Sequence, residues 1–163
     1  MNDTQMKTVK YRGGVLKFRI PASWKEEYSD WDGGMFYEDV PDSGTLRVRM
    51  ITAKKPPNVD DSALAVLQPV LNGLGKKSTD VVQVGRNALL RYEDSGLEEG
   101  TKLRIFYWVF GNPVPPGNAR VVTFSYTVLE AQAATSQTRQ ELKMLDAVLL
   151  DTEFAERIGV VAE

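Results

Sequence analysis

Apolar and charged residues alternate along residues 8–20, on either side of the pair Gly13-Gly14. Alternation with a period of two is typical of a β-strand with one buried face, and adjacent glycines suit a two-residue hairpin turn. The pattern therefore predicts two antiparallel strands that turn at these glycines.

A second hairpin is predicted after an aromatic segment. Residues 23–34, which follow a break at Pro21, are expected to form a turn or a short helical excursion. Its aromatic side chains are expected to cover one end of the core: Trp24, Tyr28 and Trp31. Residues 35–38 and 45–53 have strand-like patterns, and the Pro, Asp, Ser and Gly residues at 39–44 favour a turn between them.

Leucines at helical spacing predict two helices. The first covers about residues 61–73, and its leucines share one face: Leu64, Leu67, Leu71 and Leu74. Asp60 is the expected N-cap, and Pro69 removes a hydrogen bond inside the helix, so we expect a kink or a split there. The second helix lies within residues 130–150, with a capping box at residues 138–141. Its core face is expected to carry Leu142, Leu145 and Leu149.

The remaining strand signals lie in the second half of the chain. Residues 81–93 predict a strand pair or a bent strand broken at residues 85–87. The longest signals are at residues 102–110 and 120–128, and the sequence GNPVPPGN at 111–118 predicts a compact loop between them. Residues 151–154 are expected to return as a short strand.

Many strands with two separated helices indicate an α+β fold, with a mainly antiparallel sheet and helical cover. A length of 163 residues fits one domain, so we expect a single domain over residues 1–163. Its core is expected at about residues 8–155, and residues 156–163 are expected to be a tail.

Composition excludes several kinds of chemistry. The chain has no cysteine and no histidine, which excludes disulfides, thiol nucleophiles, Cys/His zinc sites and any imidazole base. With 20 basic and 22 acidic residues the net charge is -2, which argues against a nucleic-acid ligand held by bulk charge. We expect no cofactor and no bound metal.

The expected location is the cytoplasm. The first seven residues, MNDTQMK, are polar, and no apolar segment of a secretory signal follows within the first thirty residues. The longest apolar run, residues 105–110, is far shorter than the roughly 20 residues of a transmembrane helix, so we expect no membrane span.

Three stretches carry a resemblance to a known group of proteins. They are FRIPASW at 18–24, FYW at 106–108 with FSY at 124–126, and residues 142–154. In this order they resemble the superfamily of PsbP and the Ran-binding Mog protein, with its bacterial DcrB-like proteins and Eag chaperones of type VI secretion. The resemblance implies an α/β/α sandwich with an antiparallel sheet, used mostly for binding rather than catalysis. It implies no catalytic residue.

Two motifs have a simple structural interpretation. Residues 38–42 hold three carboxylates, which could offer oxygen ligands to a cation, but the spacing is not that of an EF-hand and a capped turn is favoured. The PxxP spacing at residues 113–116 is too closely pinned between strands to present a polyproline helix.

Basic residues recur at i, i+2 on predicted strands, so each pair projects from one face of its strand. The pairs are Lys17 with Arg19, Arg47 with Arg49, and Lys102 with Arg104. If the strands are neighbours in matching register, the six charges form a stripe that could bind an anionic ligand or an acidic protein surface, and Arg47, Arg49 and Arg104 are its expected core. The alternative is a solvated sheet face with interleaved acidic residues.

The aromatic strand at 105–110 offers a second candidate surface. Phe106 and Trp108 share one side of this strand, and either a core position or an apolar groove for a hydrophobic partner fits that pattern.

These observations favour a non-catalytic binding or adaptor protein, chaperone-like in character, that recognises another protein through a sheet face. The alternative is a small enzyme without histidine or cysteine, a carboxylate- or lysine-based hydrolase acting on a small substrate.

Overall fold

The computed structural model describes residues 5–30, 33–55 and 62–157. Its strands are β1 (Met6–Tyr11), β2 (Leu16–Pro21), β3 (Lys25–Ser29), β4 (Gly33–Tyr37), β5 (Thr45–Lys54), β6 (Val81–Val84), β7 (Asn87–Glu98), β8 (Thr101–Val114), β9 (Asn118–Leu129) and β10 (Glu153–Phe154). Its α-helices are α1 (Ala63–Leu74) and α2 (Ser136–Leu150).

The strands form two antiparallel sheets. Seven strands follow the order β3-β4-β5-β9-β8-β7-β6, and three follow the order β1-β2-β10. Helix α1 packs on one face of the large sheet, and α2 and the small sheet pack on the other face. This arrangement confirms the predicted α+β sandwich with a mainly antiparallel sheet.

Alternation along β9 explains how the sheet separates two cores. Val122, Phe124 and Tyr126 are buried in the larger core, under α2 and the small sheet. Their neighbour Val121 points to the opposite face and packs beside the smaller core, which α1 forms with β7 and β8. Because side chains alternate between the faces of a strand, a single strand supplies both cores.

Most predicted elements are confirmed, with changed boundaries. The first hairpin turns through four residues at 12–15, which include a short 3-10 turn, rather than two. The hairpin of β4 and β5, the break between β6 and β7 and the closing strand β10 are present as predicted. The predicted loop at 111–118 is mostly strand, because β8 continues to Val114 and only residues 115–117 connect it to β9.

The predicted excursion at 23–34 is wrong over its middle part. Residues 25–29 form β3, an edge strand whose five residues are all exposed. Because charged residues lie on both faces of β3, its sequence does not alternate between apolar and polar positions. Pairing with β4 supplies the backbone hydrogen bonds that stabilise the strand. Trp24 is buried as expected, Tyr28 is largely exposed, and Trp31 lies outside the described residues.

The helices begin at other residues than predicted. Ser62 caps α1 by accepting a hydrogen bond from the Ala65 N–H, whereas Asp60 lies outside the described residues. The cap of α2 is Thr135, which accepts from the Thr138 N–H, rather than a box that starts at Thr138.

Helix α1 continues across Pro69 without the predicted split. Leu67 and Leu71, on either side of Pro69, are completely buried against the sheet. Burial of these two leucines stabilises the turn from which the proline removes a hydrogen bond.

Candidate functional site

Among the described residues, helix α1 leaves part of its face of the large sheet uncovered. It packs on β7, β8 and β9, where Leu67 and Leu71 lie against Leu90 and Val109. Strand β5 extends beyond this cover, and Ile51 at its outer half is 68% exposed.

An apolar groove of about 590 Å³ lies between α1 and the strands β5 and β9. The strands supply Ile51, Ala53, Ala119 and Val121 as its floor, and α1 supplies Leu64 and Pro69 as its wall. Lys54 and Lys55 lie at its rim. The groove therefore combines an apolar floor with positive charge at one end.

A basic hollow of about 530 Å³ adjoins this groove, and Ile51 and Val121 line both. Its charged residues are Arg12, Arg47, Arg49 and Asp30. Arg47 Nη1 donates to the Thr127 hydroxyl at 3.4 Å, across the β5–β9 ladder. The hydrogen bond with Tyr11 raises the pKa of Arg12 above its ordinary value, which keeps this guanidinium charged.

The hollow lies where β4 begins, at Gly33. Gly33 has φ of +73°, and a Cβ there would lie 2.2 Å from the Val48 carbonyl oxygen. Only glycine tolerates this conformation and this close approach together. The pairing of β4 with β5 stops at Gly34 and Val48, so the rest of β5 continues without β4 beside it.

The predicted six-charge stripe is wrong, because the basic pairs lie on different surfaces. Arg47 and Arg49 lie on the α1 side of the large sheet, as the register with β9 requires. Arg104 lies on the opposite face, in phase with Trp108 and the larger core. Lys17 and Arg19 belong to the small sheet.

Arg104 also has acidic partners. Its Nη2 and Nε donate to the two carboxylate oxygens of Glu130 at 2.7 and 3.0 Å, and its Nη1 lies 3.8 Å from Glu93. The hydrogen bonds raise the pKa of Arg104 and lower the pKa of Glu130. Because Nε and Nη2 of Arg104 already donate to Glu130, this guanidinium is a poor anchor for a partner.

Phe106 and Trp108 belong to the core on the α2 side. Trp108 is 4% exposed, and its Nε1 donates to Asp146 of α2 at 2.9 Å. Phe106 is partly buried and packs against the same core. Of the two interpretations of this strand, the core position is the one observed, and the apolar groove lies on the other face.

A buried arginine was not predicted. Arg120 is 1% exposed and donates from Nη1 to Asn112 Oδ1 at 3.0 Å and to the Ala155 carbonyl at 2.5 Å. Its Nη2 donates to the Arg157 carbonyl at 2.7 Å, and Asn112 donates to Asn87. The network ties the segment after β10 to the sheet. Arg120 is in phase with the apolar residues of β9, and that position could have indicated its burial.

A smaller hollow of about 360 Å³ holds two carboxylates, Glu38 and Glu141, beside Trp24. The Tyr126 hydroxyl donates to Glu141, and its ring stacks on Trp24. Burial is the largest cause that raises the pKa of Tyr126, so this hydroxyl keeps its proton at neutral pH. The arrangement fixes Glu141 rather than leaving both of its oxygens to a ligand.

The acidic turn at 38–42 and the PxxP segment at 113–116 have structural roles. In the acidic turn at 38–42, the Ser43 hydroxyl donates to the Glu38 carbonyl, and the described residues contain no cluster of three or more acidic residues fit to hold a metal ion. Pro113 lies within β8 and pairs with Ala119, so the PxxP segment is part of a hairpin.

Within the described ranges, neither helix is long and apolar enough to cross a bilayer.

Comparison with known proteins identifies the fold. The sequence matches no protein-family model and no curated protein at a significant level. Several solved structures, including the following three, are similar to the chain in fold, at low sequence identity. A protein from Bacteroides thetaiotaomicron has a TM-score of 0.63 at 18% identity over 91% of this chain, which spans 48% of that protein.

The other two structures match over most of both chains. LpqN, involved in cell envelope biogenesis of Mycobacterium tuberculosis, has a TM-score of 0.62 at 15% identity. The match covers 94% of this chain and 92% of the LpqN chain. The Ran-binding protein Mog1p of Saccharomyces cerevisiae has a TM-score of 0.50 at 11% identity. The match covers 98% of this chain and 100% of the Mog1p chain. The expected likeness of fold to the Ran-binding Mog protein is therefore confirmed.

Proposed function

We propose that the chain is a non-catalytic binding protein that recognises another protein through the α1 side of its seven-stranded sheet. The observation that carries this proposal is the apolar groove beside α1, which continues into the basic hollow around the exposed Ile51. A continuous exposed surface of this kind, apolar at its centre and polar at its edge, is typical of protein interaction sites.

Charge indicates the chemistry of the partner. The described residues that line the two hollows include five cations: Arg12, Arg47, Arg49, Lys54 and Lys55. The acidic residue among the described lining is Asp30. A partner segment with apolar residues between acidic ones would complement this surface, and its association should slow and weaken as salt increases.

The fold gives this proposal a precedent and no more than that. Mog1p, which shares the fold, is a Ran-binding protein. The cytoplasmic location stays a prediction. The alternative of a small enzyme has the hollow with Glu38 and Glu141 in its favour, and it takes second place because Tyr126 already hydrogen-bonds to Glu141.

The experiment is capture of partners by the tagged full chain from a lysate of its source, with matched variants. Ile51→Glu and Leu64→Glu place acidic charge at two exposed positions of the groove, and both should abolish recovery of the partner. Leu97→Glu is the control, because Leu97 is 71% exposed at the far end of β7 and should leave recovery unchanged. Equal melting temperatures of all variants show that the fold is intact.

A second pair of variants removes one positive charge each, one from the α1 side of the large sheet and one from its opposite face. Arg47→Gln should weaken recovery, and Arg104→Gln, on the opposite face, should not. Recovery that survives both groove variants, or that falls equally in the two arginine variants, overturns the proposal.

A further inference from the structure

The outer half of β5 presents a strand edge that no described strand covers. Strand β9 pairs with β5 along its whole length, to Asn118 opposite Lys54. On the other side, the pairing with β4 ends at Val48. Among the described residues, Arg49 to Lys54 therefore have a strand neighbour on one side only. All six are exposed or half-buried.

The middle of this edge lacks the charged residues that protect the sheet elsewhere. Exposed edges are usually short, charged or interrupted by proline, since their free N–H and C=O groups can pair with another chain. Strand β3, at the end of the same sheet, has three charged residues among five. By contrast, residues 50–53 of β5 are four uncharged residues in a row, MITA, of which Ile51 and Thr52 are β-branched.

We propose, resting on the proposed function, that the partner contributes an extended segment that pairs with the outer edge of β5 from Arg49 to Lys54 and so adds a strand to the large sheet. Main-chain hydrogen bonds would hold such a segment, and alternate side chains would give specificity. The side chains on its α1 side would lie next to Ile51 and Ala53, at the margin of the apolar groove.

Charge selects an acidic segment rather than a second copy of this chain. The cations Arg49 and Lys54 lie at the two ends of the edge, and Arg12 lines the adjoining hollow. If two copies paired antiparallel about the middle of this segment, Arg49 of one would face Lys54 of the other. Like charges directly opposite each other destabilise a strand pair, whereas acidic residues at both ends of the added strand would stabilise it.

The probe is a fluorescein-labelled peptide, Glu-Glu-Val-Thr-Val-Glu-Glu, whose residue order is the same in both directions, so parallel and antiparallel pairing place the same side chains along the edge. We expect it to bind the full chain, with slower amide exchange at residues 49–54. Ile51→Glu should weaken binding about tenfold or more, a loss of about 1.4 kcal/mol, and the control Leu97→Glu should leave it unchanged.

Two N-methylated versions of the peptide test the strand geometry. One carries methyl groups on alternate amides, and the other carries them on the remaining amides. Consecutive amides of a strand face opposite edges, and every second amide faces the same edge, so one version should lose binding and the other should keep it. Equal affinity of the two versions overturns the proposal, as does peptide that does not bind or that protects the other sheet edge at Val82 and Gln83.

Two outcomes separate this inference from the proposed function. If the peptide fails while partner capture remains sensitive to Ile51→Glu and Leu64→Glu, the groove stands and the strand pairing falls. If the chain alone forms a dimer that Ile51→Glu dissociates in sedimentation, a second copy occupies the edge and the inference is overturned.

Discussion

The close approach of α1 to β8 predicts a specific cost for Gly111→Ala. A Cβ at residue 111 would lie 2.8 Å from the Ala63 carbonyl oxygen and 2.8 Å from Leu67 Cγ, whereas ordinary contact begins at 3.4 Å. Helix α1 would have to move by roughly 0.6 Å, and Leu67 is completely buried, so it cannot turn away into solvent.

The magnitude follows from two opposing effects. Overpacking of a well-filled core typically costs about 1–3 kcal/mol. Replacing glycine by alanine also restricts the unfolded chain and stabilises the fold by about 0.4–1 kcal/mol. We therefore expect a net loss of between about 0 and about 2.6 kcal/mol in the free energy of unfolding, together with displacement of the groove wall that α1 forms.

The assay is equilibrium unfolding in urea, with Gly96→Ala as the matched control. A Cβ at residue 96, on the neighbouring strand β7, would meet its nearest atom, Ile105 Cδ1, at an ordinary 3.5 Å. The control should therefore be neutral or slightly stabilising. Unfolding free energies of the two variants that agree within about 0.5 kcal/mol would refute the claim that α1 packs tightly at Gly111.

Three further predictions test other parts of the structure. Leu145→Ala, at a completely buried position of α2, should lose about 2–5 kcal/mol in urea unfolding, whereas Lys143→Ala on the exposed side of the same helix should stay within about 0.5 kcal/mol of the parent. Because burial raises the pKa of Tyr126, its contribution to stability is complete below the ordinary tyrosine pKa of about 10 and is lost as the pH rises above it. The melting temperature of Tyr126→Phe should therefore fall less steeply than that of the parent between about pH 9 and pH 11, and an equal slope would count against this assignment. Excess chelator should leave the melting temperature unchanged, since the acidic turn at 38–42 offers three carboxylates where a calcium ion takes about 6–8 oxygen ligands, and a drop of several degrees would show a metal that contributes to folding.

Periodicity predicted most of the fold because most elements bury one face. The leucines of α2 recur at helical spacing, and Leu145 and Leu149 are completely buried as predicted. Strand β3 was missed for the opposite reason, since it is exposed on both faces and its position depends on pairing with β4. The cap of α2 was misplaced because Thr135 and Thr138 both fit the local pattern.

The candidate site was only half predictable. Spacing at i, i+2 places two side chains on one face of their own strand, but the relative phase of two strands depends on their register. Arg47 alternates with the buried Leu46 and Val48 and therefore points away from the larger core. Arg104 is in phase with Trp108 and points toward the α2 side. The groove itself depends on where α1 stops covering the sheet, and no local pattern encodes that distance.

Recognition of a protein partner at Ile51 is the central claim, and site-specific crosslinking tests it most directly. A photoreactive amino acid would replace Ile51 in one sample and the equally exposed Leu97 in a control, in the full chain and in lysate of its source. Mass spectrometry of the adducts would identify both the captured protein and the crosslinked segment. The account predicts an adduct from position 51 to an acidic, partly apolar segment and none from position 97. Adducts from position 97 alone, or equal adducts from both positions, would contradict it.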